Sequence, residues 1–249
     1  MNLSDFFQEN SKIALAFSGG VDSAYLLYAA KAYGADTTAY YVKTAFQPQF
    51  EYEDACRLAD ELGMPMKTIE LNVLADVEVS SNPKNRCYYC KRKIFTAILS
   101  AAKDDGYTVV MDGTNASDDV NDRPGMKALT ELSVRSPLRE CGLTKEMIRS
   151  LSKEAGLFTW DKPAYACLAT RISTGTEITE DLLLRTEMSE NYLRTLGFTD
   201  FRIRLMNDAA RLQLKESQFD LLFKRRCEIY DTLHRYYSAV LLDLEVRDE

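Results

Sequence analysis

The apolar run Ile13-Ala14-Leu15-Ala16-Phe17 passes directly into Ser18-Gly19-Gly20-Val21-Asp22-Ser23, and a helical stretch follows over 24–33. Strand, glycine turn and helix start are thus joined with no spacer. Gly19 and Gly20 let the backbone curl close to a ligand with no Cβ in the way. The helix that follows directs unpaired N–H groups and the positive end of its dipole into the turn. Ser18 and Ser23 add hydroxyl donors. The segment carries no lysine, so it is not the phosphate loop that ends in Gly-Lys-Ser/Thr.

Further strand-like runs occur at 37–43, 66–71 and 107–112, with helical patterns at 23–33, 50–63 and 90–103. Such β-α-β-α alternation predicts a parallel sheet covered on both faces, an α/β, doubly wound arrangement. In such sheets ligands lie beyond the carboxyl ends of the strands. Two of those ends carry chemistry: the first strand runs into Ser18–Ser23, the fourth into Asp112-Gly113-Thr114-Asn115. Another helix is expected from Thr144, a suitable N-cap, to about 155.

The texture changes after about residue 176. A helix over 179–196, with Leu182, Met188, Tyr192, Leu193 and Leu196 as core candidates, precedes period-two runs at 201–205 and 211–215. A helix over 216–236 and a strand over 238–246 follow. This reads as a smaller C-terminal α+β domain with a short antiparallel sheet. The expected division is a larger α/β domain over 1–172 and a smaller α+β domain over 173–249.

With 249 residues and 46% apolar content, the chain has material for a sizeable core. No apolar run reaches the ~20 residues that cross a bilayer, and none at the N-terminus has signal-peptide length. A cytoplasmic location without membrane attachment is the expectation. The net charge of −7 disfavours non-specific attraction to nucleic acid. The single histidine, His234, falls in a C-terminal helical stretch and is expected to be a partly exposed helix residue.

Six cysteines in a cytoplasmic chain point to reduced thiols, ligation or catalysis rather than disulfides. Cys87, Cys90 and Lys91 are spaced i, i+3, i+4 at a helix start and share one face. Two thiols beside an ammonium are poised as thiolates, hence as ligands or nucleophiles. Zinc, iron–sulfur cluster and redox-pair readings are all open for this CxxC. No second CxxC exists, and Cys167 is the candidate third thiol; three thiolates suit a [4Fe–4S] cluster with one open iron. Cys56 reads as core packing, and Cys141 and Cys227 lie in no partner pattern.

Together these segments resemble one family: Ser18-Gly19-Gly20-Val21-Asp22-Ser23, Asn85-Arg86-Cys87-Tyr88-Tyr89-Cys90-Lys91, Asp112-Gly113-Thr114-Asn115-Ala116-Ser117-Asp118, Asp122-Arg123-Pro124-Gly125, Arg135-Ser136-Pro137-Leu138, Trp160-Asp161-Lys162-Pro163 and Ala166-Cys167-Leu168-Ala169-Thr170-Arg171. The first resembles the pyrophosphate loop of ATP-dependent adenylating enzymes. The set in this order, over roughly 10–215, resembles the ATP-dependent sulfur transferase of nickel-pincer cofactor biosynthesis, needed for lactate racemase maturation (the LarE family, within the PP-loop ATP pyrophosphatase superfamily).

The resemblance implies that ATP activates a carboxylate of pyridinium-3,5-biscarboxylic acid mononucleotide as an acyl adenylate, releasing PPi, and that sulfur then replaces AMP. Some members donate the sulfur of one cysteine, at the position of Cys167, which ends as dehydroalanine; others carry the CxxC as well and use a cluster-bound sulfide. This chain holds both features. The resemblance also implies that 1–172 is the adenylating domain, that 173–249 binds substrate and mediates oligomerisation, and that the protein is a homo-oligomer such as a hexamer. The chain departs from the family at Thr170, often Ser there, at Ser173-Thr174-Gly175, often Pro-Tyr-Gly, and near Met206-Asn207, where the family commonly has paired histidines.

Carried over residue by residue, Ser18, Gly19, Gly20, Asp22 and Ser23 would cradle the phosphates with Mg2+ as counter-ion, and Gly113 and Thr114 would meet adenosine. Arg123 faces either the nucleotide or substrate, or forms a loop ion pair. Lys91 would offset charge at the reacting carboxylate. Arg171, Arg202 and Arg204 are candidates for a guanidinium fork on the substrate phosphate, the last two on one face of a strand; a solvated strand face is the alternative. Trp160 reads as a packing anchor. Competing functions sharing the loop are a tRNA-thiolating enzyme, an ammonia-dependent ligase similar to NAD synthase, and a non-catalytic nucleotide sensor.

Overall fold

In the structure, a computed structural model that describes residues 2–118 and 124–247, the chain forms two compact units. Unit 1 comprises 1–73 and 85–162; unit 2 comprises 74–84 and 163–249. Unit 1 holds α1 (Leu3–Glu9), β1 (Lys12–Ala16), α2 (Val21–Ala32), β2 (Asp36–Lys43), α3 (Gln49–Leu62) and β3 (Met66–Glu70). After α4 (Val77–Ser80), which belongs to unit 2, come α5 (Arg86–Asp104), β4 (Val110–Met111), α6 (Pro124–Glu131), α7 (Pro137–Glu140) and α8 (Lys145–Glu154), all in unit 1. Unit 2 continues with α9 (Glu180–Thr195), β5 (Arg202–Met206), β6 (Ala209–Gln213), α10 (Phe219–Leu233) and β7 (Ala239–Leu242).

Among the described residues the sheet of unit 1 has order β3-β2-β1-β4, every pairing parallel. Side chains alternate across it. Ile13, Leu15, Ala39 and Tyr41 enter a core with α1, α2, α3 and α8, while Ala14, Tyr40 and Val42 face Phe95, Ile98, Met126 and Leu129 from α5 and α6. Burial of each large apolar side chain is worth roughly 1.5–3 kcal/mol. Both faces are therefore covered, as the unbroken apolar strands predict. The order reverses direction between β1 and β4, so the switch point lies where those two strands end.

Strand β4 is shorter than the expected 107–112. Only Val110 and Met111 pair with β1, because Tyr107 turns its hydroxyl to Thr38 at 2.8 Å and packs edge-on against Tyr40.

In unit 2 the small sheet has order β5-β6-β7. The pair β5/β6 is antiparallel, but β6/β7 is parallel, which corrects the expected antiparallel sheet. The physical reason is the connection: α10 carries the chain back across the sheet, and a parallel return needs such a crossover.

The stripe of α9 also differs from expectation. Leu183, Thr186, Ser189, Glu190 and Leu193 are buried, whereas Met188 is 43% exposed. Segment 74–84 joins this unit through Asn82, buried and at φ 54°, whose amide donates to Ser173 O at 2.8 Å and whose carbonyl accepts from Gly175 N at 2.8 Å. Exposed His234 stacks on Tyr230 at 4.9 Å. Among the described residues no helix is long and apolar enough to cross a membrane.

Candidate active site

At the end of β1, Phe17 N still donates to Tyr40 O at 2.9 Å, and the chain then leaves the sheet. Gly19 has φ 71°, and an added Cβ would lie 3.0 Å from Ala55 Cβ, so both conformation and space require glycine. Gly20 is the N-cap of α2 and lends no side chain to that helix's first N–H groups. Ser23 folds the turn: its Oγ accepts from Ser18 N (3.3 Å), lies 3.1 Å from Ser18 Oγ and donates to Gly20 O (3.2 Å). The result is a helix start with open donors at the sheet's switch point, suited to an anion.

The end of β4 abuts it. A Cβ on Gly113 would lie 2.9 Å from Ser23 N, so the strand end and the helix start touch backbone to backbone. Buried Asp112 knots this end, accepting from Ser136 Oγ at 2.6 Å and Thr114 Oγ1 at 2.5 Å. Asp22 accepts from Asn115 Nδ2 (3.3 Å) and pairs with Lys145 Nζ (2.6 Å). The fold thus gathers Ser18, Gly19, Gly20, Asp22, Ser23, Gly113 and Thr114. It also brings a lysine to a loop whose own sequence has none. Lys145 was legible only as a helix start, although a cation in the first turn opposes the helix dipole and is a signal in retrospect.

Cys87 and Cys90 lie in the first turns of α5, Cys87 exposed and Cys90 half-buried. The Lys91 stem lies against Gly125, where a Cβ would come within 2.7 Å of Lys91 Cδ. Arg123 lies outside the described residues. None of the six cysteines is in a disulfide. Burial pushes the Cys141 thiol up, as befits a packing residue. Among the described residues no group of three His, Cys, Asp or Glu side chains stands ready to hold a metal ion. Trp160 has the Lys153 ammonium over its ring at 4.6 Å, and Arg149 donates to Trp160 O (2.6 Å) and Lys162 O (2.8 Å).

In unit 2, Cys167 is half-buried at the start of a 3₁₀ turn, Leu168–Arg171, and its carbonyl accepts from Thr170 N (2.9 Å) and Thr170 Oγ1 (2.8 Å). The alternative of a solvated strand face does not hold, because all three guanidinium groups are bonded to backbone carbonyls. Arg202 donates to Ala164 O at 2.6 Å, Arg171 to Ala166 O at 2.8 Å, and Arg204 to Thr170 O at 2.8 Å. They grip the backbone of the stretch that bears Cys167, which has no ladder of its own to satisfy its carbonyls.

Arg171 is fully buried with Glu190, at 2.8 and 3.2 Å, and Glu190 also accepts from Tyr165 OH (2.6 Å) and Ile203 N (3.0 Å). Burial works against the Glu190 charge, but the Arg171 guanidinium outweighs it and holds the carboxyl below its ordinary range. Arg202 is pushed down to about 10, first by burial and then by Arg171 and Arg247. The guanidinium carbons of Arg171, Arg194 and Arg202 stand 4.6, 5.2 and 5.1 Å from the Tyr165 ring. Tyr165 and Glu190 support this cluster and were missed by sequence reasoning, because the predicted core positions of α9 include only Leu193 of the buried stripe that carries Glu190.

A parallel sheet whose first strand ends in Ser-Gly-Gly-Val-Asp-Ser, beside the glycine end of the adjoining β4, defines a nucleotide-binding enzyme of the PP-loop ATP pyrophosphatase superfamily. No protein-family model matches the chain. It is 34% identical over 209 residues to the pyridinium-3,5-bisthiocarboxylic acid mononucleotide synthase of Lactiplantibacillus plantarum, covering 83% of this chain and 76% of that protein. It is also 36% identical over 250 aligned residues to an uncharacterized protein of Synechocystis sp., covering 98% and 92%. A tRNA-specific 2-thiouridylase of Clostridium botulinum matches at 30% over 182 residues, covering 60% and 52%. The chain belongs to the pyridinium-3,5-bisthiocarboxylic acid mononucleotide synthase (LarE) family and is an ATP-dependent enzyme.

Proposed function

We propose that this enzyme adenylates a carboxylate of pyridinium-3,5-biscarboxylic acid mononucleotide and converts it to a thiocarboxylate. The observation that carries the reading is Cys167, a half-buried thiol on a stretch braced through its carbonyls by Arg171, Arg202 and Arg204, in a chain whose other unit carries the Ser18–Ser23 cradle.

A carboxylate oxygen of the substrate attacks the α-phosphorus of ATP, and the bond to the β-phosphate oxygen breaks, its electron pair leaving with PPi. Ser18, Gly19, Gly20, Asp22 and Ser23 hold the phosphates with Mg2+, and Gly113 and Thr114 border the adenosine. The Cys167 thiolate then attacks the acyl carbon and expels AMP, forming a thioester. Removal of the Cys167 α-proton forms a Cα–Cβ double bond as the Cβ–S bond breaks, which releases the thiocarboxylate and leaves dehydroalanine. Lys91 offsets charge at the carboxylate. Arg204, half-buried on β5, has surface to offer the substrate phosphate, and Arg202 backs it.

Cys87 and Cys90, one turn apart at the start of α5, are soft thiol donors of the kind that suits iron and sulfide. A [4Fe–4S] cluster that takes these two thiols as ligands would supply sulfide in place of the Cys167 side chain. In keeping with a homo-oligomer built through unit 2, α9 and α10 expose Leu184, Met188, Phe223 and Tyr230.

Intact mass after one turnover with ATP and the carboxylate substrate tests the sulfur source. Loss of one hydrogen sulfide from Cys167 marks sacrifice of the side chain, and an unchanged mass with thiocarboxylate formed marks recycled sulfide. Cys167→Ala should still release PPi but make no thiocarboxylate. Full turnover of that variant refutes sulfur transfer through Cys167.

A further inference from the structure

We infer that Lys145 is the cation that receives the pyrophosphate end of ATP, held in readiness by Asp22; this rests on the nucleotide reading of the Ser18–Ser23 loop. Lys145 Nζ lies 2.6 Å from Asp22 Oδ2, and the two side chains retain 35% and 22% of their exposure. The pair is therefore open to solvent at the loop, unlike the sealed Arg171–Glu190 pair of unit 2.

The position of Lys145 makes little sense for its own helix. Thr144 caps α8, with its Oγ1 accepting from Met147 N, and Lys145 is the first helical residue. A cation there faces the positive end of the dipole and is disfavoured. Yet its backbone is built in firmly. Lys145 N donates to Ser117 Oγ at 3.0 Å, Ala116 N to Leu143 O at 2.8 Å, and Ser117 N to Asn115 Oδ1 at 2.8 Å. The loop after β4 therefore fixes the base of the lysine, and only its head reaches the phosphate turn.

Asp22 is restrained from both sides. Asn115 Nδ2 donates to Oδ1 and Lys145 to Oδ2. One carboxylate thus answers the ammonium beside a helix start whose N–H groups have no side-chain cap. A polyanion entering this turn meets donors and a cation together. When the bond between the α-phosphorus and the bridging oxygen breaks, the electron pair and the growing charge go to pyrophosphate. Lys145, exchanging Asp22 for that oxygen, offsets the charge without moving a proton.

The test is calorimetric titration of the full chain with Mg2+–pyrophosphate and separately with AMP, for wild type, Lys145→Met and Lys145→Arg. Lys145→Met should weaken pyrophosphate by about 10- to 100-fold, the loss of one charge-assisted hydrogen bond, and leave AMP binding unchanged. Substrate-dependent PPi release should fall ~100-fold, and Lys145→Arg should restore most of the pyrophosphate affinity. Equal weakening of both ligands, the signature of a lysine that merely joins α8 to α2, overturns the assignment, as does unchanged pyrophosphate binding. A wild-type chain that binds neither AMP nor Mg2+–pyrophosphate refutes the loop reading and this assignment together. Selective pyrophosphate loss with no thiocarboxylate from wild type refutes sulfur transfer alone.

Discussion

Substituting Gly113 with alanine tests whether the ends of β1 and β4 are held together as described. The new Cβ would sit 2.9 Å from Ser23 N and 3.3 Å from both Asp22 Cβ and Ser23 Cα, whereas ordinary contact begins at 3.4 Å. About half an ångström of separation is needed, and two of the three opposing atoms are backbone, so no rotamer change supplies it. The strand end resists, because Asp112 is tied to Ser136 and Thr114 and its N–H donates to Arg135 O at 2.9 Å. The start of α2 must yield instead, and Ser23 carries with it the hydroxyl that folds the phosphate turn.

Overpacking of this kind costs ~1–3 kcal/mol. A 1 Å misplacement at a reacting centre costs ~100-fold in rate, so half that displacement should cost roughly 10-fold. Urea unfolding and the kcat/KM for PPi release measure the two effects. Gly113→Ala with stability within about 0.5 kcal/mol of wild type and undiminished PPi release would refute the backbone contact. Gly20→Ala is the informative contrast, since its Cβ would meet only Ser18 Oγ at 3.5 Å. Stability should hold there, and any loss of nucleotide affinity reports the anion's own approach to that carbon.

Glu190→Gln leaves Arg171 charged in a sealed site and should cost ~3–5 kcal/mol by thermal or urea unfolding. Because Arg171 holds the Glu190 pKa below its ordinary value, the carboxylate's contribution is complete above about pH 4.3 and is lost as pH falls through the folded value. An acid-unfolding curve of the wild type that matches Glu190→Gln would contradict this. Lys162→Met removes the largely buried ammonium that lies 3.1 and 2.7 Å from Glu51 and Asp54, and should cost roughly 1–3 kcal/mol; an unchanged urea midpoint would argue otherwise. Replacing Cys87 and Cys90 together with alanine should leave Mg2+–ATP affinity intact. Under anaerobic reconstitution with iron and sulfide, absence of the visible charge-transfer band in the variant and its presence in wild type would assign those thiols to the cluster.

What the sequence by itself determined is whatever neighbouring residues decide among themselves. Apolar runs followed at once by glycines and helix formers specify strand, turn and helix, so the doubly covered parallel sheet and the Ser18–Ser23 turn were legible residue by residue. The Thr144 cap and the shared face of Cys87 and Cys90 were legible for the same reason. The tertiary structure decided what depends on residues distant along the chain. Asp22 meets Lys145, Asn82 crosses to Ser173, and Glu190 gathers Arg171 and Tyr165, pairings that local propensity does not encode. Arg202 and Arg204 show the difference most plainly. Their period-two spacing suggests a strand face in either setting, but only the fold shows whether their donors meet water, a ligand or a backbone carbonyl. Buried Arg202 must find acceptors, and the loop bearing Cys167 supplies them, whereas half-buried Arg204 keeps open surface beside its bond to Thr170 O.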